Sequence, residues 1–184
     1  MKEQIKAVVG NWFRVNRSTV YDNPWIRVYH DDVITPGKSK GIYGVVHFKN
    51  KAVGVIPMDD DGNTWLVKQS RYTLEKATWE IPEGGSPEGE DTLLTAKREL
   101  EEEVGLVAGK WQKLMGLHLS NSITDEYAVI YKATELSIGR QLLEDTEDIE
   151  VRKMPITEAV DMVMRGEITD AISVAGLLCI ARGL

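Results

Sequence analysis

The stretch from Glu80 to Leu106, EIPEGGSPEGEDTLLTAKRELEEEVGL, constrains the fold more than any other part of the chain. A glycine- and proline-bearing loop, Pro82 to Pro87, runs into one amphipathic helix. From Asp91 to Val104 the apolar residues Leu93, Ala96, Leu100 and Val104 recur at helical spacing, with Leu94 beside them, and define one buried stripe. Glu99, Glu102 and Glu103 stand at i, i+3 and i+4, so their carboxylates share a neighbouring face. Gly105 follows as a left-handed stop. Each like-charged pair costs roughly 0.2–0.5 kcal/mol on an exposed helix, and more where solvent is partly excluded. A solvated face relieved by Lys97 and Arg98 tolerates that cost, whereas a hard divalent cation offsets it. Such cations take oxygen ligands, and glycine in the loop lets a backbone carbonyl come close enough to add one.

Around this unit the pattern is mixed. STVYDNPWIRVYHDDVI contains two β-rich runs about an Asp22-Asn23-Pro24 turn, and IYGVVHF adds a third from Ile42 to Phe48. AVGVIPM and TWLVKQS flank DDDGN, whose Asp-Gly pair suits a tight hairpin. Beyond the helix come WQKLMGLHLS, YAVIYKATEL, the acidic loop LLEDTED, IEVRKM, and two helical segments, ITEAVDMVMRGEI and DAISVAGLLCIARGL. Strands and helices without strict alternation predict an α+β or mixed-sheet sandwich. A chain of 184 residues, 42% apolar, has the material for one domain and a small appendage. A net charge of -7 argues against a broad basic face for nucleic acid, so an anionic substrate needs local cations. Cys179 has no partner for a disulfide and reads as a small buried hydrophobe. No segment has the apolar length of a signal peptide core or a membrane span, which leads us to expect a soluble cytoplasmic protein. His30, His47 and His118 lack metal-ligand spacing and read as structural or surface residues.

Gly84, Glu90, Arg98-Glu99-Leu100, Glu102-Glu103 and Gly105-Leu106, separated by five, seven, one and one residues, occupy every fixed position of the Nudix box. The chain therefore resembles the Nudix hydrolases. The resemblance implies an α+β fold, a Nudix α/β/α sandwich with a mixed sheet in which the box is a loop-helix-loop. It implies a site for Mg²⁺, with Mn²⁺ as the alternative, for cleaving a diphosphate linked to another moiety. Glu99 and Glu103 are then the principal metal ligands, Glu102 a further one, and the carbonyl of Glu83 or Gly84 a backbone contributor. Arg98 and Glu90 orient the cluster; taken by themselves, they can equally form a supporting ion pair.

Upstream residues resemble the ADP-ribose and nucleoside-diphosphate-sugar pyrophosphatase branch, with Gln69 and Arg71 in its QxR segment and Glu80 and Pro82 ahead of the box. This implies that Arg71 and Glu80 serve the substrate, Arg71 through its planar fork on the diphosphate. An ion pair of Arg71 with Glu75 or Glu80 is the plainer alternative. Residues 1–50 correspond to an N-terminal antiparallel β extension that makes a homodimer, and residues 51–184 to the Nudix domain. Trp25, near Tyr21 and Tyr29, falls in the segment that walls a nucleobase pocket, or else packs in a core or interface. The branch carries a proline about fifteen residues past the box; here Ser120-Asn121-Ser122-Ile123 stands instead, which favours nucleoside diphosphate sugars broadly, GDP-mannose as well as ADP-ribose. Asp125-Glu126 follows, with Glu126 at the substrate. LLEDTEDIEVRKM resembles the loop that supplies the general base, Glu147 or in its place Glu144, with Glu150 as an outer metal ligand. The catalytic set implied is Glu147, Glu102 and Arg98. Competing expectations are a triphosphate or RNA-cap pyrophosphohydrolase and a nucleotide-sugar sensor that does not cleave.

Overall fold

Alternating apolar and polar residues in the first fifty positions favour half-buried strands. The computed structural model, which describes residues 4–143 and 148–183, forms them as β1 (Ala7–Val9), β2 (Trp12–Asp22), β3 (Ile26–Ile34) and β4 (Lys40–Phe48). They make one antiparallel sheet in that order. The turn at Asp22-Asn23-Pro24 is closed by Asn23, whose Oδ1 accepts from the amides of Trp25 and Ile26 at 2.9 and 2.8 Å. This sheet and the distant segment Ser120–Glu126 form one compact unit; the rest of the chain forms a second.

The second unit contains β5 (Asn50–Pro57), β6 (Asn63–Arg71), β7 (Lys76–Glu80), β8 (Glu83–Pro87), α1 (Thr92–Glu99), β9 (Leu106–His118), β10 (Tyr127–Ile138), β11 (Glu150–Pro155), α2 (Ile156–Met164) and α3 (Ala171–Ala181). A four-stranded sheet has the order β8-β5-β10-β9, with β5 and β10 parallel and β10 and β9 antiparallel. A three-stranded antiparallel sheet has the order β11-β6-β7. The two-residue period of β5 and β10 sorts their side chains to opposite faces. Val53, Val55, Val129 and Tyr131 pack against Ala96 and Leu100 of the box helix. Ile56, Ala128 and Ile130 face the other way, onto Leu66, Ile81 and Met154 and the helical residues Ala159, Met162, Ile172 and Leu177. This is the α+β sandwich with a mixed sheet that the residues imply. Cys179 lies buried in α3. Among the described residues no helix is long and apolar enough to cross a membrane.

Two local expectations need correction. Glu83–Pro87, read as loop for its glycines and prolines, is a strand at the edge of the mixed sheet, because pairing with β5 outweighs weak intrinsic propensity. The helix begins where expected, with Asp91 Oδ1 accepting from Leu93 N at 3.0 Å, but α1 gives way to a π-helical turn over Leu100–Val104. Gly105 ends it with φ at 72°, the left-handed conformation that glycine adopts freely.

Candidate active site

The π turn and β8 bring the box glutamates under a strand without side-chain bulk. Glu99 and Glu103 are buried, at 6% and 1% exposure. A Cβ added at Gly84 would stand 2.1 Å from the Glu99 carboxylate carbon, so only glycine lets backbone and carboxylate meet. One residue earlier, the Glu83 amide donates to Glu103 Oε2 at 2.9 Å. Glu102 lies further out, its side chain 30% exposed. Arg98 reaches across the set, placing Nη1 2.8 Å from Glu102 Oε2 and Nη2 2.8 Å from Glu99 Oε1. Its Nη2 also donates to the Gly85 carbonyl at 3.3 Å. Burial opposes the charge on this guanidinium, but Glu102 and Glu99 prevail and raise its pKa. Glu90 does not join Arg98: its Oε2 accepts from the Thr95 hydroxyl at 2.9 Å and braces the first turn of the helix. The ion pair open to Arg98 and Glu90 is thus replaced by pairing with Glu99 and Glu102.

A second group lies at the approach to the box. Glu80, 2% exposed, accepts from the Thr78 hydroxyl and from Arg71 Nε at 2.9 Å. Arg71 Nη2 reaches Glu83 Oε1 at 2.5 Å. Arg71 therefore joins two acids, Glu80 and Glu83, where the residues alone offered Glu75 or Glu80. Glu80 is buried behind this arginine and anchors it. The other Glu83 oxygen, Oε2, is buried without a hydrogen-bond partner. Burial above all, then the Asp170 carboxylate, with further contributions from Glu80 and Glu103, pushes the Glu83 carboxyl well above its ordinary pKa against the pull of Arg71.

Asp170 and Ser173 did not stand out in the sequence. Asp170 caps α3 by accepting from Ser173 N at 2.7 Å, and Ser173 Oγ accepts from Ile81 N at 2.9 Å, tying the helix start to the strand that enters the box. The available signal was an acid directly before an apolar helical run, an N-cap pattern.

Among the described residues no three His, Cys, Asp or Glu side chains converge as a ready ligand set. Arg98 draws Glu99 and Glu102 to itself, and the Glu83 amide holds Glu103. The donors nevertheless fit a hard divalent cation. Glu99 and Glu103 are buried oxygen donors, one buried Glu83 oxygen lacks a hydrogen-bond donor, and Gly84 leaves no Cβ between backbone and Glu99.

Trp25 is 66% exposed at the turn between β2 and β3. Glu126 ends the Ser120–Glu126 segment, which clusters with the N-terminal sheet. Glu150 pairs with Lys68 at 3.7 Å. Glu147 and its substitute Glu144 lie outside the described residues.

A profile of the NUDIX domain matches residues 48–173, and one of the nucleoside diphosphate sugar hydrolase N-terminal domain matches residues 12–46. An ADP-ribose pyrophosphatase of Mycobacterium tuberculosis is 38% identical over 170 residues, which cover 90% of this chain and 81% of the relative. An ADP-ribose pyrophosphatase of Bacillus subtilis is 32% identical over 159 residues, 85% of either chain. The crystal structure of an ADP compounds hydrolase superposes with a TM-score of 0.85 over 97% of both chains at 20% identity, a likeness of fold. The sandwich fold and these relatives define a pyrophosphatase class of hydrolase. Within that class the chain belongs to the Nudix family.

Proposed function

We propose that this enzyme hydrolyses the diphosphate bond of nucleoside diphosphate sugars, ADP-ribose and GDP-mannose among them, to a nucleoside monophosphate and a sugar phosphate. The observation that carries the reading is the buried glutamate set beneath Gly84. The two ADP-ribose pyrophosphatases similar over most of the chain support the substrate class.

Glu99, Glu102 and Glu103, with the carbonyl of Glu83 or Gly84, hold Mg²⁺ or Mn²⁺ in this reading. A divalent cation there supplies Lewis-acid neutralisation of the diphosphate and an acidified water. Arg98 keeps Glu99 and Glu102 oriented through its two 2.8 Å contacts. Arg71 offers the phosphate contact. Its Nε and Nη2 are committed to Glu80 and Glu83, while Nη1 makes no hydrogen bond among the described residues and the side chain is 34% exposed. Anchored from behind, the fork presents a donor without a search through rotamers. Glu147, or Glu144 in its place, accepts the proton of the attacking water. Trp25 stacks on the nucleobase, and Glu126 contacts the substrate. The enzyme works as a cytoplasmic homodimer: a lone buried thiol suits a reducing compartment, and the exposed apolar residues of the N-terminal sheet suit a second copy.

The test is direct product analysis on a panel of ADP-ribose, GDP-mannose, other nucleotide sugars and nucleoside triphosphates with Mg²⁺. Nucleoside monophosphate and sugar phosphate are the expected products; cleavage of triphosphates alone overturns the reading. Glu103→Gln should reduce turnover by roughly two orders of magnitude or more with an unchanged circular dichroism spectrum.

A further inference from the structure

The chain departs from the second unit after Leu119 and returns to it at Tyr127. The seven residues between are held to the last strand of the N-terminal sheet by backbone and side-chain bonds. Val46 N donates to the Ile123 carbonyl at 2.9 Å and the Val46 carbonyl accepts from Asp125 N at 3.3 Å, so Thr124 bridges β4 in parallel. The Tyr43 hydroxyl donates to the Ser122 carbonyl at 2.5 Å. Asp125 uses both carboxylate oxygens: Oδ2 lies 2.6 Å from His47 Nδ1 and Oδ1 accepts from Phe48 N at 2.9 Å. The segment also turns on itself, with Ile123 N and Thr124 N both donating to the Ser120 carbonyl at 3.1 and 2.9 Å.

The side chains of His47 and Asp125 are 41% and 49% exposed, and a polar contact so exposed contributes little to global stability. What these bonds do achieve is a fixed path for the backbone leading into Glu126 and β10. We infer that Asp125, gripped by His47 and the Phe48 amide, is a positioning residue: it uses β4 as a template to set the substrate-contacting segment that ends in Glu126. The inference rests on the nucleotide-sugar reading above. It assigns a role in substrate discrimination to His47 and Tyr43, residues of the N-terminal sheet.

The experiment compares wild type with Asp125→Ala, Asp125→Asn, His47→Gln and Tyr43→Phe. Steady-state kinetics on ADP-ribose and GDP-mannose is read beside hydrogen exchange of the peptide covering 120–126. Asp125→Ala should raise KM roughly tenfold with kcat changed by less than about twofold, because binding geometry is lost and the box chemistry is kept. It should also change the ratio of kcat/KM between the two sugars and speed exchange in the segment. Asp125→Asn, whose amide still accepts from Phe48 N and can donate to the imidazole, should restore KM and protection. Faster exchange with unchanged KM and selectivity makes the clamp merely structural and overturns the inference, as does unchanged exchange. Should Asp125→Ala fail to fold, Tyr43→Phe, which loses one hydroxyl bond, carries the same comparison. A wild type inactive on every nucleotide sugar removes the substrate reading and the positioning role together; an active wild type with indifferent variants removes the positioning role alone.

Discussion

A side chain at position 84 would put its first carbon 2.1 Å from the Glu99 carboxylate, and the only relief is for that carboxylate to move. Gly84→Ala should therefore leave the sandwich folded but displace a proposed metal ligand. Turnover should fall at least about tenfold and Mn²⁺ affinity with it, by calorimetric titration. Wild-type affinity and turnover would mean that Glu99 is not held where the apposition puts it. The grouping of Glu99 with Glu102 and Glu103 was legible in the sequence because a helix converts spacing into a shared face, whereas Gly84 meets Glu99 from the separate strand β8. The condition of Glu83 was not legible. Its buried, donorless oxygen depends on Asp170 and on Arg71, and nothing local to position 83 announces either neighbour.

At the scale of elements, helix ends and hairpins were readable where a side chain caps its own neighbourhood, as Asp91 and Asn23 do. Long-range ties were not. Ser173 and Ile81 stand 92 positions apart, yet the Ser173 hydroxyl accepts the buried Ile81 amide. Ser173→Ala strands that amide and should cost about 1–3 kcal/mol in urea denaturation, with a smaller loss sinking the idea that this bond anchors α3 to the box. The turn between β5 and β6 makes a prediction of pH dependence. Asp59 accepts from Asn63 N at 2.7 Å and pairs with Lys153 at 2.7 Å, and Lys153 first, then Asn63, hold its carboxyl below the ordinary carboxylate range. A carboxyl whose folded pKa is depressed stabilises the fold above its unfolded pKa, about 3.9, and ceases to do so as the pH falls through the folded value. The melting temperature of Asp59→Asn should thus lie below wild type near neutrality, with the gap closing below about pH 4. A gap independent of pH would assign the effect to the turn's geometry instead of its charge.

For the whole molecule, the N-terminal strands were legible from alternation, but which of their faces lack cover is visible only in the folded sheet. Among the described residues of that unit only Asp31 and Val33 are buried, while Val8, Val9, Val20, Tyr21, Trp25 and Ile42 are each more than half exposed. A small sheet needs an apolar face packed against something to be stable, and exposed residues of this size mark an association surface. One face adds a cavity lined by Val9, Trp12, Tyr43 and Val45 around the Arg17–Asp31 pair, whose two contacts of 2.7 and 2.8 Å give it a fixed polar centre. A second copy of the chain is the occupant we predict, so light scattering should report twice the 20.6 kDa of one chain. Ile42→Glu combined with Val20→Glu should move the population toward monomer and lower the melting temperature, because each substitution places a charge where apolar area is buried. Salt separates the driving forces. Each protomer carries a net charge of -7, which opposes association until it is screened, whereas apolar burial is indifferent to screening. Raising ionic strength from about 10 to 150 mM should therefore tighten the dimer. Weakening over that range would point to ion pairs as the source of affinity, and a monomer at all concentrations would return these residues to ordinary exposed surface.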